Sequence, residues 1–222
     1  MRTSERLRGM EQFFYENLCR GRQMKSPAED FDITQIQMRE PKCYTGFYPS
    51  IMDDKGNIQP EEFEPLENIA PSILIMPNVG AVKNVEEKRF DRYNGIARSQ
   101  SMGQELVVQM LFCIYEPGVR LPGFIESAES GGGFDMSLFE DGTQQGMLTL
   151  FNWIDDAMEL LLCHKSIPHT DLFLDEASCT YGPHTDQNFL TDKRPLYYGL
   201  LNATFYGYAN EGTNTDIDRL LK

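Results

Sequence analysis

The sequence predicts an α+β fold: a mixed or antiparallel sheet with a long crossing helix, an N-terminal helix and long loop insertions. Three observations carry this reading. Apolar residues in 4–20 and in 144–165 recur at three-to-four spacing, the period of a helix with one buried face. Residues 104–115 and 196–209 alternate at period two and are rich in β-branched and aromatic side chains, which marks strands. The order helix, strands, long loop, helix, strands lacks the strand–helix alternation of a doubly wound sheet. One domain is expected over residues 1–222, with loop insertions at about 39–70 and 117–142 and a loose tail from 212.

In the first helix Leu7, Met10, Phe14 and Leu18 form the apolar stripe, with Phe13 beside it. Arg6, Arg8, Glu11 and Glu16 are expected on its solvated side, and Gly21 is its stop signal. Residues 33–69 show no clean apolar face. Within them Asp54-Lys55-Gly56-Asn57 reads as a turn, and Glu61, Glu62, Glu64 and Glu67 as part of an acidic exposed connection. Residues 72–76 predict a short strand closed by Pro77-Asn78. In 104–115, Leu106, Val108, Met110, Phe112 and Ile114 line one face, and Val107, Leu111 and Cys113 much of the other. A strand apolar on both faces is expected at the centre of a sheet covered on both sides. The charged residues between these two strands fit an exposed hairpin edge.

Residues 117–142 are punctuated by Pro117-Gly118, Pro122-Gly123 and Gly131-Gly132-Gly133. Phe124, Phe134, Leu138 and Phe139 make this stretch too apolar for a plain linker, so it is expected to order against a neighbouring molecule. The helix at 144–165 follows, with Met147, Leu150, Phe151, Ile154, Met158, Leu161 and Leu162 as its stripe. Thr143 suits its start, His164 and Lys165 suit its negative end, and Pro168 closes it. Strands at 172–181 and 196–209 complete the sheet. In the last one, Tyr197, Leu201 and Phe205 face one way and Tyr198, Leu200 and Tyr206 the other.

Bulk properties exclude several classes. A chain of 222 residues buries enough surface to fold without disulfides or a structural metal. Its five cysteines are scattered, none forms a CxxC pair, and a reducing compartment suits them best. Cys113 and Cys163 lie in apolar periodic segments and are read as buried thiols. The opening residues lack an apolar signal core and no run approaches a membrane span, so neither export nor membrane insertion is expected. The formal charge of −14 opposes tight binding to a phosphate backbone. Arg2, Arg6, Arg8, Arg20, Arg22 and Lys25 are interleaved with glutamates and read as a solvated helix face.

No constellation makes a persuasive active site. His-Thr-Asp occurs twice, at 169–171 and 184–186, and two imidazoles with one carboxylate form the facial triad of non-haem iron oxygenases. His169 and His184 are too close in sequence for the large jelly roll that usually separates such ligands, and polar loop residues beside Pro168 and Pro183 explain both copies. Asp155 and Glu159 share a helix face whereas Asp155 and Asp156 diverge, so a solvated face accounts for them. Cys163 adjoins His164, but neighbouring helical residues do not face each other, and core packing is the expected role of the thiol. The three glycines at 131–133 are followed by Phe134-Asp135-Met136 where a phosphate loop requires Lys-Ser or Lys-Thr. No cofactor, metal or catalytic residue is therefore assigned.

The helix at 4–20, the strand at 104–115, the helix at 144–165 and the closing segment Thr191-Asp192-Lys193-Arg194-Pro195-Leu196-Tyr197-Tyr198-Gly199 together resemble the tail terminator, or tail completion, proteins of long-tailed phages and prophages. The resemblance covers most of the chain in layout, and the chain is longer than that family at 39–70 and 117–142. It implies a small α/β subunit of a homo-oligomeric ring, typically a hexamer, which caps the tail tube and joins tail to head. Its partners would be tail tube and neck or connector proteins, with DNA passing through the lumen without specific binding. Its place would be the virion, assembled in the host cytoplasm. Interface residues on this reading are Phe124, Phe134, Leu138, Phe139, Asp192 and Arg194. Alternatives are another neck or baseplate adaptor, a peptide- or protein-binding module anchored by Phe134, Leu138 and Phe139, and a metal-dependent enzyme using His169, Asp171 and His184.

Overall fold

The first element is the helix α1 (Thr3–Phe14), followed without a break by a π-helical turn at Tyr15–Cys19. The Glu5 carboxylate accepts the Arg2 backbone N–H at 2.7 Å, which satisfies one of the orphan donors at the helix start. Gly21 ends the run in a left-handed conformation, φ +78°, which a residue without Cβ adopts at no steric cost. Leu7, Met10, Phe13, Phe14 and Leu18 are buried as their spacing predicts.

The computed structural model describes residues 2–27, 36–46, 50–52, 58–63, 69–84, 102–120, 139–140, 143–186, 189–190 and 195–208. After α1 come five short strands: β1 (Met24–Pro27), β2 (Ile36–Arg39), β3 (Lys42–Thr45), β4 (Ser50–Met52) and β5 (Ile58–Phe63). Two long ones follow, β6 (Ser72–Asn84) and β7 (Met102–Tyr115), then β8 (Val119–Arg120) and β9 (Phe139–Glu140). The long helix α2 (Thr143–His164) precedes β10 (Phe173–Leu174), β11 (Thr180–Pro183), β12 (Thr185–Asp186), β13 (Phe189–Leu190) and β14 (Leu196–Tyr208).

The main sheet runs β10-β14-β7-β6-β3, with β11 also pairing β14. Every pairing is antiparallel except β3 with β6, so the sheet is mixed, and the α+β class read from the sequence holds. β6 and β7 pair antiparallel, with Ile73 opposite Phe112 and Ile75 opposite Met110. β6 continues through an irregularity at Pro77–Val79 to Asn84 rather than closing at Pro77-Asn78, and the charged residues expected at a hairpin edge lie outside the described residues. β4 and β5 pair antiparallel, and the turn expected at 54–57 lies outside the described residues. β3, β4 and β5 come from within the stretch 39–70 read as a loop insertion, and of these β3 joins the main sheet. Four residues with one buried apolar side chain give too little pattern to mark a strand.

Both helices pack on one face of the sheet. Beneath them lie Cys43, Ile73, Ile75, Leu106, Val108, Met110, Phe112, Ile114, Tyr197, Leu201, Ala203 and Phe205, all in one apolar cluster with the buried residues of α1 and α2. Gly199 sits opposite Phe112 under α2, where an added Cβ would lie 2.6 Å from Ile154 Cδ1 and 3.2 Å from Leu150 Cδ2. The missing side chain is what lets the helix come so near the sheet. The opposite face is only partly covered. Ala70, Cys113, Tyr115, Leu196 and Tyr198 are buried there, while Val107, Leu111 and Leu200 are half-buried. β7 is thus central, but its second face is not sealed along its length as the sequence suggested.

Three further expectations are corrected. The buried stripe of α2 is Leu150, Trp153, Ile154, Ala157 and Leu161, whereas Leu162 is 38% exposed. Trp153 packs edge-on against Phe112 at 5.2 Å, so contact with the sheet sets the rotation of the helix. Cys163 is exposed rather than buried, two positions beyond Leu161, the last residue of that stripe. The single strand expected at 172–181 is two, β10 and β11, interrupted by a 3-10 turn at Glu176–Ser178. Ser178 Oγ donates to the Asp175 carbonyl and accepts the Thr204 N–H at 2.8 Å, so a side chain takes over a backbone partnership of β14 there.

Candidate functional site

Of the residues assigned to an interface, Phe124, Phe134, Leu138, Asp192 and Arg194 lie outside the described residues. Phe139 falls in β9, opposite Arg120 of β8. The tail from 212 also lies outside them. The described residues instead bring two features together around α1.

The first is a buried ionic node. Arg6 was expected on the solvated side of α1, yet it is completely buried. Its Nε and Nη2 donate to both carboxylate oxygens of Asp171 at 2.8 and 2.6 Å, and Nη1 donates to Gln104 Oε1 on β7. Bidentate pairing of this kind is the arrangement that offsets the desolvation of a buried guanidinium. Gly207 of β14 lies beneath it, and a Cβ there would meet Arg6 Nη2 at 2.8 Å. Burial pushes the Asp171 carboxyl up, but the Arg6 hydrogen bonds and charge outweigh it and hold it below its ordinary value. Asp171 belongs to the first His-Thr-Asp segment. Thr170 Oγ1 donates to the Ile167 carbonyl at 2.8 Å and accepts the Leu172 N–H, which fixes the turn that presents Asp171.

This placement bears directly on the iron-triad pattern. Asp171 faces Arg6, His169 is exposed with a positive φ of 59°, and His184 donates its backbone N–H to the Tyr198 carbonyl at 3.0 Å. Among the described residues no group of three His, Cys, Asp or Glu side chains is placed to hold a metal. Asp155 and Glu159 are exposed on α2, as a solvated helix face requires, and Asp156 pairs with Arg22 at 2.7 Å. No described helix is long and apolar enough to cross a membrane.

The second feature is an open trough of about 520 Å³ between α1 and β3, lined by Arg8, Glu11, Gln12 and Tyr15 on one side and Lys42, Cys43 and Tyr44 on the other. α1 amphipathicity builds the first wall, because burying Leu7, Met10 and Phe14 turns Arg8, Glu11, Gln12 and Tyr15 outward. Thr45 Oγ1 donates to Glu11 at 2.5 Å and ties the walls together. At one end, Glu40 accepts the Gly21 N–H at 2.9 Å and the Tyr15 hydroxyl at 2.7 Å. The Gly21 bond first, then that of Tyr15, holds the Glu40 carboxyl below its usual range, and the bond to Glu40 pushes the Tyr15 phenol up.

The cysteines supply no nucleophile in this region. Burial pushes Cys19 up to about 12 and raises Cys43, at the trough floor, as well. Thiols so placed stay protonated and serve as small apolar groups. The chemistry available here is recognition by shape, charge and open backbone.

Sequence reasoning missed both features. The node left one faint signal, an arginine one position ahead of the apolar Leu7. The trough left none, since β3 was not recognised. No family model matches the chain, and a search of the curated proteins returned no match to it.

Proposed function

We propose that this chain is a ring-forming tail terminator, or neck, protein that caps a tail tube and joins it to the head of a phage-like particle. One observation carries the reading: an N-terminal helix and a 22-residue helix both pack on one face of a mixed sheet whose last long strand, the 13-residue β14, pairs with β7. This is the layout that the resemblance implies for a tail terminator subunit. The formal charge of −14 fits a lumen through which DNA slides without being gripped. Another neck or baseplate adaptor is the alternative within the same class. A metal enzyme built on His169, Asp171 and His184 would first have to displace Arg6 from Asp171, which makes it the weaker alternative.

The test is the solution mass of the purified chain by light scattering, with negative-stain imaging of the same sample. Rings of defined stoichiometry support the proposal. A monomer at every concentration reached, with stoichiometric iron, zinc or manganese in the purified protein, replaces it with the enzyme reading.

A further inference from the structure

We infer that copies of this chain meet head to tail by strand addition, β11 of one copy lying along β3 of the next, with Tyr181 seated in the trough between β3 and α1. The inference deepens the ring-forming reading and rests on it. β3 and β11 lie at opposite margins of the same sheet, and among the described residues no strand pairs with the outer side of either. The N–H groups of Lys42 and Gly46 donate to Pro71 and Ile75, at 3.2 and 2.9 Å. Strand alternation then turns the N–H and C=O of Cys43 and Thr45 away from β6, toward the open side. Unpaired backbone of this kind is a template for a further strand.

The side chains agree with the backbone. Tyr181 is opposite Leu201, so it projects on the helix-covered face of the sheet, yet it is 52% exposed. Gly182 beside it has open space where a Cβ would stand. At the other margin the trough lies on the same face, between α1 and β3, with the aromatic ring of Tyr15 and the buried Cys43 among its lining. Extending the sheet from β3 of one copy into β11 of another puts the tyrosine of the second over the trough of the first. β11 is short and ends at Pro183, which limits the backbone contribution and leaves this side chain as the anchor. The two margins differ, so the contact is heterologous, and a heterologous contact generates a ring when its rotation closes.

Two exposed substitutions test this. Tyr181→Ala removes the knob but leaves the trough, and Gln12→Trp fills the trough but leaves the knob. Each is expected to weaken self-association by about 30-fold or more, the effect of losing an interface hot spot, and to run as a monomer where the wild type assembles. An equimolar mixture is expected to run as a dimer, because it contains one intact knob and one intact trough. Circular dichroism and melting temperature should match the wild type for both. If the wild type assembles and both variants assemble equally well, the strand-addition contact is wrong while the ring reading survives. If the wild type is monomeric at every concentration reached, both fall together.

Discussion

Arg6 and Asp171, 165 residues apart in sequence, form a bidentate ion pair inside the protein, with the guanidinium wholly shielded from solvent. The pair joins the first helix to the turn that leads into β10, and Gln104 extends it to β7. It therefore acts as a clamp between the first helix and a turn far along the chain.

Removing Asp171 leaves a buried positive charge without its principal partner. Asp171→Ala is expected to cost about 3–5 kcal/mol of stability, the range for breaking a buried ion pair from one side. Urea denaturation measures it. A loss under about 1 kcal/mol would mean that Arg6 swings out to solvent.

The same pair sets an acid limit. The folded Asp171 titrates below its ordinary value of 3.8, so its contribution is fully present above that value and is lost as pH falls through the folded one. The urea midpoint of the wild type should decline below about pH 4 more steeply than that of Asp171→Asn, which carries no titrating group there. Parallel acid limbs in the two proteins would show that other carboxylates dominate.

Gly146 is expected to resist substitution although it lies in a helix. A Cβ there would stand 2.5–2.8 Å from three ring atoms of Tyr197, a side chain that is itself buried. Gly146→Ala gains about 1 kcal/mol at most from helix propensity, against about 1–3 kcal/mol for overpacking. A net loss of about 1 kcal/mol is expected by thermal or chemical denaturation. Gly182→Ala, with nothing within 4 Å, should change stability by no more than about 0.5 kcal/mol and serves as the control.

Thiol labelling separates the cysteines. Cys163 is exposed and should react with a maleimide in the native protein, whereas Cys19, Cys43 and Cys113 are buried and should not. Cys19 and Cys113 are each pushed up to about 12 by burial, which suppresses the thiolate as well as access to it. Half-buried Cys179 should label slowly. Rapid native labelling of Cys113 would mean that the sheet face it lies on opens readily.

The sequence by itself determined the two helices, the strands β7 and β14 and the class of fold, but not the length of β6, which runs past Pro77-Asn78 to Asn84. Those rest on local periodicity: Leu7, Met10 and Phe14 mark a helix face, and Leu106 to Ile114 a strand face, whatever they later pack against. Tertiary structure decided the rest. Whether Arg6 is solvated or buried depends on Asp171, 165 residues away in sequence, and no local pattern records that. The rotation of α2 was settled by Trp153 meeting Phe112 and by Gly199 admitting Ile154 and Leu150, which moved Leu162 and Cys163 outward. β3, too short to be read locally, became an edge strand only because β6 offered it hydrogen bonds. The trough beside it, and with it the surface on which assembly is proposed, exists only once α1 has packed over that edge.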